Sequence, residues 1–536
     1  MKIFSFSPFG YEGSLVAVEV DLRRGIPAVD VVGLADGAVK ESRERMRSAI
    51  RNSGFEFPLE RVLISLSPAD LKKEGAGFDL ALALSVLDAQ KTAENTPPED
   101  DAESAETVSA GADNSADLKI LVMGELELSG QLRAVRGVHA AASTAKAAGI
   151  EYCIVSAQNG QEAREIPGMK VFAAENLAQA FNALYSPESF TEGVLQNDEQ
   201  GAPEGSVRID GVLFPPVEES LEMADVKGQK KLVRALQIAA AGGHNLLAFG
   251  PPGCGKTLAL QKFPGLVPLL SVEESQSVTR IHSLAGLLKP STPLMRQGDF
   301  RMPHQTASIE GICGGGINCR PGEVSLAHNG MLFLDEAAEF RTSVLQMLRV
   351  PLETESITLS RAGRTTVYPA SFQLLMATNP CPCGNFGVPG KICLCSARSV
   401  EMYWRKFSGP LLDRVDLRVS VCNGKNEDDD FTVTTAELRQ KIARAVKIQR
   451  ERKVKNVRLK PSDLAQFCRL TDEQNAFLEK SAVKHSLSQR GISGCLKVAR
   501  TIADLEGHEK ITTEDLREAL SFRIDAGPLE TITMPD

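Results

Sequence analysis

The run LLAFGPPGCGKTLAL, residues 246–260, constrains the fold of this chain more than any other stretch. It reads as a short apolar strand, a glycine-rich turn and a helix start, with Gly250, Gly255, Lys256 and Thr257 in the spacing of a phosphate-binding loop. A strand whose far end opens onto a helix belongs to a parallel sheet flanked by helices. The chemistry follows from the residue types. Between Gly250 and Gly255, the run Pro251, Pro252, Gly253, Cys254 lets backbone N–H groups curl around phosphate oxygens. Lys256 would reach the β- and γ-phosphates, Thr257 would offer a hydroxyl to Mg²⁺, and Leu258 would lead into the helix. The expected ligand is ATP with Mg²⁺. Cys254 lies inside the loop, so its alkylation is expected to crowd the phosphates and stop turnover.

A second apolar run, GMLFLDEAAEF, ends in Asp335-Glu336. Asp335 would hold the metal through its water shell and Glu336 would orient the attacking water, since phosphoryl transfer needs positioning and charge neutralisation above all. A third, FQLLMATNP, ends in Asn379, an amide placed for the water or the γ-phosphate. Two arginines complete the expected set: Arg414 in GPLLDRVDL, supplied to a neighbouring subunit, and Arg490 in SLSQRGIS, on a helical lid over the nucleotide. If Arg414 acts on a neighbour, a single chain cannot work alone.

Length asks for more than one domain around this nucleotide unit, because 536 residues exceed one ordinary core. Two segments, 88–117 and 186–205, are poor in large apolar residues and rich in Pro, Ser and acids, too little to offset the entropy of ordering. The first is expected to be a disordered insertion and the second part of a linker. Domains of 1–185, 207–424 and 430–536 result, joined by the linker 186–206. The first mixes strand patterns with helical ones, the second alternates strand with helix, and the third is helical: an α/β multidomain protein. The two acidic segments carry −8 and −5 of a formal net charge of −9, which leaves +4 for the folded parts, so a polyanion partner is compatible with them. No apolar run approaches the roughly 20 residues that span a bilayer. The start, MKIFSFSPFGYEGS, has no apolar stretch behind Lys2, so no export signal is read and a cytoplasmic location is expected.

Eleven cysteines without an export signal argue for reduced thiols. Cys381, Cys383, Cys393 and Cys395 form two C-x-C pairs around a glycine-containing loop; they would either close a structural Zn²⁺ site or pack, reduced, beside Asn379. For a polyanion partner, the hairpin ITLSRAGRTTVYP offers Arg361 and Arg364 at a turn, and the stretch before Asp335 offers Arg280, His282, Lys289, Arg296, Arg301 and His304. Cations spaced along a loop could track a phosphate backbone without reading sequence. The basic helix from Arg439 to Lys455 has its charges spread around its circumference and reads as a solvated face.

With these residues in place the chain resembles the ComM/YifB family of magnesium-chelatase-like AAA+ ATPases over nearly its whole length. The stretches VVGLADGAVKESRERMRSAI, LSPADLKKEGAGFDLALAL, RPGEVSLAHNGMLFLDE, MATNPCPCG and GPLLDRVDL carry the likeness. The resemblance implies an AAA+ core with a C-terminal helical lid, a hexameric ring, and a helicase that drives branch migration of recombination intermediates during natural transformation. Single-stranded and branched DNA, and a recombinase, would be its partners. A protein-remodelling or chelatase-type ATPase is the alternative, since the engine would look the same. Residues 1–185 are similar to the proteolytic domain of Lon proteases, but the likeness puts Gly77 at the nucleophile position and His139 at the lysine position. A scaffold or DNA-contact domain is therefore expected there, not a peptidase.

Overall fold

The computed structural model describes residues 1–34, 37–69, 71, 73, 75–95, 118–193, 201–288, 294–316, 319–361, 364–386, 391–421 and 431–524. Most of the expected insertion, the middle of the expected linker and Lys289 lie outside the described residues.

The N-terminal unit is built on an eight-stranded mixed sheet, in the order Thr191–Glu192, Lys170–Ala174, Tyr152–Ser156, Lys119–Met123, Lys2–Ser7, Ser14–Arg23, Arg61–Ser67, Val29–Val32. The helices Gly37–Asn52 and Asp79–Asn95 cover one face through Val39, Met46, Ile50 and Leu80 to Leu87. The helix Val138–Ala147 covers the other, where Leu284 from the middle unit joins the core. Two boundaries differ from expectation. Residues 88–95 are helical, because Ala, Gln, Lys and Glu favour helix and the end is anchored: the Tyr185 hydroxyl donates to Asp88 at 2.6 Å and Lys91 sits 3.4 Å over the Tyr185 ring. Thr191–Glu192 pairs antiparallel with Lys170–Ala174, so the unit runs past residue 185 into the expected linker.

The middle unit holds a five-stranded sheet in the order Phe300–Arg301, Met331–Leu334, Gln373–Thr378, Leu246–Phe249, Leu417–Ser420, every neighbour parallel. Leu246–Phe249 and Met331–Leu334 are buried at every residue, which is why both read as unbroken apolar runs. The helix Val272–Ala285 starts at a capping box between Ser271 and Glu274 and carries the N-terminal unit on its side. There the Arg280 guanidinium donates to the carbonyls of Tyr11 and Glu12 at 3.0 and 3.1 Å, and the Ser283 hydroxyl donates to Glu162 at 2.5 Å.

Helices Thr435–Arg452, Pro461–Phe467, Asp472–Lys484, Gln489–Glu506 and Thr513–Ile524 are the α-helices of the described C-terminal residues. The first packs on Lys230–Gly242, with the Gln449 amide donating to the Ala241 carbonyl at 2.8 Å. This helix is not merely a solvated basic face. Arg439 is 2% exposed and donates to the Gly265 and Pro215 carbonyls at 2.7 and 2.8 Å, which its burial requires. Among the described residues no helix is long and apolar enough to cross a membrane.

Candidate functional site

Three neighbouring parallel strands deliver the expected nucleotide residues to one end of the sheet, where their C-termini lie. Phe249 is level with Thr378, and Leu334 with Met376, so Gly250, Asp335 and Asn379 leave the sheet side by side. Residues 252–258, Asp335, Glu336 and Ala377 to Asn379 line a cavity of about 400 Å³ there. Gly253 and Gly255 both have φ of 81°, the left-handed region that turns the loop back on itself. At Gly250 a Cβ would stand 2.0 Å from the Val421 carbonyl oxygen, so only hydrogen fits.

The polar groups converge. Lys256 Nζ donates to the Gly250 and Pro251 carbonyls at 2.7 Å each and lies 3.5 Å from Asn379 Oδ1. Thr257 Oγ1 donates to Asp335 Oδ1 at 3.1 Å. A hydroxyl and a carboxylate meeting beside a phosphate loop form the oxygen-donor pair that suits Mg²⁺. Glu336 adopts φ 48°, a left-handed backbone that a non-glycine residue holds at a cost of about 1–3 kcal/mol. Gln305 donates from its amide to the Glu336 carboxylate. Gln305 has no motif to announce it in the sequence; only the tertiary fold brings it here. Cys254 is 4% exposed with Sγ 2.9 Å from the Pro251 carbonyl, so a thiol reagent reaches it only if the loop opens.

The two arginines stand elsewhere. Arg414 precedes the strand Leu417–Ser420, whose Leu417 is level with Leu246, whereas the phosphate loop follows Phe249. Arg414 is therefore at the opposite end of the sheet from its own chain's loop. Arg490, expected over the nucleotide, is beside Arg414: both guanidinium groups donate to Glu353, Arg490 at 2.6 Å. The two cations hold the exposed Glu353 carboxyl below the usual range, Arg414 foremost. A larger cavity of about 790 Å³ also lies at that far end, by Asn245 and Gln373, with Lys455 paired to Glu274 at 2.7 Å. It contains none of the phosphate-loop residues.

The four cysteines come together, with every Sγ within 4.8 Å of the others. The backbone N–H of Asn385 foremost, then the Cys381 thiol, lower the Cys383 thiol to about 6.

Most of the expected DNA contacts are engaged within the chain. Arg364 lies 3.5 Å over the Phe9 ring, while Arg361 is exposed; residues 362–363 between them lie outside the described residues. Arg280 holds the N-terminal unit, and His282 and Arg296 are buried. Arg301 is paired with Glu323 at 2.6 Å, and His304 is exposed. Gly77 sits in a short 3₁₀ turn, Ala76–Phe78. The buried His139 ring has Nε2 2.7 Å from Gln276 Oε1, and its Nδ1 finds no partner among the described residues.

Three family models match successive parts of the chain. Residues 222–429 match the family described as magnesium chelatase, subunit ChlI; residues 18–159 match subunit ChlI of Mg-chelatase; residues 432–523 match the ChlI C-terminal family. Competence protein ComM of Haemophilus influenzae is 36% identical over 526 residues, 97% of each chain. The uncharacterized protein YifB of Escherichia coli is 38% identical over 519 residues, 96% of this chain and 95% of that protein. An uncharacterized protein of Mycobacterium tuberculosis is 38% identical over 535 residues, 97% of this chain and 98% of its own.

Proposed function

Because the chain belongs to the ComM and YifB family of magnesium-chelatase-like AAA+ ATPases, we propose that it works as a hexameric ring that hydrolyses ATP to drive branch migration of recombination intermediates in natural transformation. The observation that carries the ring is the position of Arg414 and Arg490. Both stand at the end of the sheet away from their own phosphate loop, and both are held by one carboxylate. A neighbouring chain that presents its loop to that end receives two cations at once, where they stabilise the charge of the transferring phosphoryl group. On this reading Arg490 serves the neighbour and not its own nucleotide.

Within one chain Lys256 would bind the phosphates, Glu336 would orient the attacking water under the hold of Gln305, and Asn379 would fix the far side of the cavity. Thr257 and Asp335 would hold Mg²⁺, which when bound offsets phosphate charge. The four-cysteine cluster would hold a structural zinc.

The competence name of the Haemophilus relative supports a DNA substrate, single-stranded or branched, with a recombinase as the natural supplier of such branches. Arg361 at the hairpin end is the cation best exposed for backbone contact. Residues 1–193 act as a scaffold in this reading. An inactive Lon-protease-like domain is supported by the glycine at position 77 and by the burial of the His139 ring. The family descriptions also name a chelatase, and an ATPase acting on a protein partner would use the same engine.

A labelled Holliday junction separates the two. Wild type is expected to convert it with ATP, and Glu336→Gln and Arg414→Ala are expected not to. Hydrolysis that leaves junctions intact and that DNA does not stimulate overturns the DNA motor and favours partner remodelling.

A further inference from the structure

The four-cysteine cluster does more than share a neighbourhood. Three of its sulfur pairs are separated by 3.4, 3.7 and 3.6 Å. With zinc–sulfur bonds of about 2.3 Å, the edge of a tetrahedron of sulfurs is about 3.8 Å, close to these spacings. Apolar packing accounts for only part of the cluster: Cys381 lies in the core of the middle unit and Cys393 and Cys395 pack against that core. Cys383 is exposed, and Ile392, which precedes the second pair, and Leu394, which lies within it, are 80% and 89% exposed. The segment that carries Cys393 and Cys395 has no regular structure and hides neither of its large side chains. The backbone N–H of Phe386 donates to Cys381 Sγ at 3.3 Å, the outer-shell bond that steadies a ligating thiolate.

The place of the cluster in the fold gives it a task. Cys381 is buried and follows Asn379-Pro380 directly, and the Trp404 indole N–H fixes the Pro380 carbonyl at 2.9 Å. Gly384, between the first pair and Phe386, touches the phosphate loop: a Cβ there would come within 2.7 Å of Pro252 Cδ. The knuckle thus leans on the loop with one side and carries Asn379 on the other.

We propose that Cys381, Cys383, Cys393 and Cys395 hold one Zn²⁺ as a closed tetrathiolate, and that this clip sets the distance between Asn379 and the phosphate loop across the nucleotide cavity. Four protein ligands leave no position for water, so the metal takes no part in the chemistry. Its catalytic half rests on the reading of the cavity as an ATP-hydrolysing site; its metal half does not. Displacing Asn379 by an ångström weakens the transition state more than it weakens nucleotide binding, by about 10² in rate at the upper end.

The test is elemental analysis of the purified full-length chain, with ATPase kinetics and binding of a fluorescent ATP analogue measured on the same samples. One zinc per chain is expected, and cobalt in its place should give the visible absorption of a tetrahedral cobalt thiolate. The double variant Cys383→Ser, Cys393→Ser is expected to lose the metal and to lower kcat by at least about tenfold with KM for ATP little changed. Should that variant fail to fold, Cys383→His, which keeps four ligands, should retain both zinc and kcat. Wild-type protein without zinc overturns the metal site. Zinc present, with kcat unchanged on its removal, overturns the clip. A zinc-loaded wild type that hydrolyses no ATP defeats the ATPase reading and leaves the metal site standing.

Discussion

Glu336 is held from two sides. Its backbone N–H donates to Asp335 Oδ1 at 3.0 Å, its carboxylate accepts from Gln305, and its φ of 48° is a conformation the local sequence does not favour. On the proposed reading, strain kept at this carboxylate is expected to aim it at the attacking water. Replacing Glu336 by Gln keeps the size and removes the charge, so nucleotide binding should survive while hydrolysis falls by about 10²–10⁴. Gln305→Ala should lower kcat with KM for ATP nearly unchanged, because it frees the carboxylate without touching the phosphate contacts. Steady-state kinetics of both variants decide this; equal loss of binding and turnover would make either residue a structural one. Lys256, Thr257, Asp335 and Glu336 are legible in the sequence because each follows a strand at a fixed offset. Gln305 and Glu353 are not, because each reaches its partners only through the tertiary fold.

Among the elements, helix Val272–Ala285 joins two units, and His139 is one of the groups that reads the junction. Its backbone N–H donates to Glu162 at 2.9 Å and its ring meets Gln276 on that helix. Burial pushes its pKa down to about 4, and the nearby Arg280 adds to the shift against the Gln276 contact. A histidine depressed below its unfolded value of about 6.5 leaves the unfolded chain with the extra proton between the two pH values. Stability is therefore complete above about pH 6.5 and is lost as pH falls toward 4, by about 3 kcal/mol at most. Melting curves taken from neutral pH down to pH near 4.5 should fall more steeply for wild type than for His139→Gln; parallel curves would dismiss the histidine. Glu162, whose carboxyl burial pushes up, is common to both proteins. The elements themselves were unequally readable. LLAF and MLFL announce strands because both faces are buried, whereas Phe300–Arg301 is too short to show a period. The helical stretch 88–95 hides inside an acidic composition because its anchors, Tyr185 and the amino terminus of Met1, lie far away in sequence.

At the scale of the whole molecule, a chain whose two arginines face away from its own phosphate loop should work only in company. Lys256→Ala keeps both arginines and spoils the loop; Arg414→Ala keeps the loop and spoils the arginine. Each alone should be nearly inactive, with about 10³ or more lost for the arginine. Mixed, they should recover a measurable share of ATPase activity, because some junctions pair a sound loop with a sound arginine. A mixture as inactive as its components would place Arg414 in its own chain's chemistry. Within the chain, the segment Phe9 to Glu12 of the N-terminal unit grips the middle unit. Phe9 lies under Arg364, the Tyr11 N–H donates to Thr366 Oγ1 at 3.1 Å, and the Tyr11 ring meets Tyr368 edge-on at 6.0 Å. Those hairpin residues are translated long after the segment that grips them. At ~5–20 residues per second, the hairpin follows that segment by some tens of seconds, so the contacts to Phe9 and Tyr11 that it makes are completed last, after helix Val272–Ala285 has emerged to meet the same segment through Arg280.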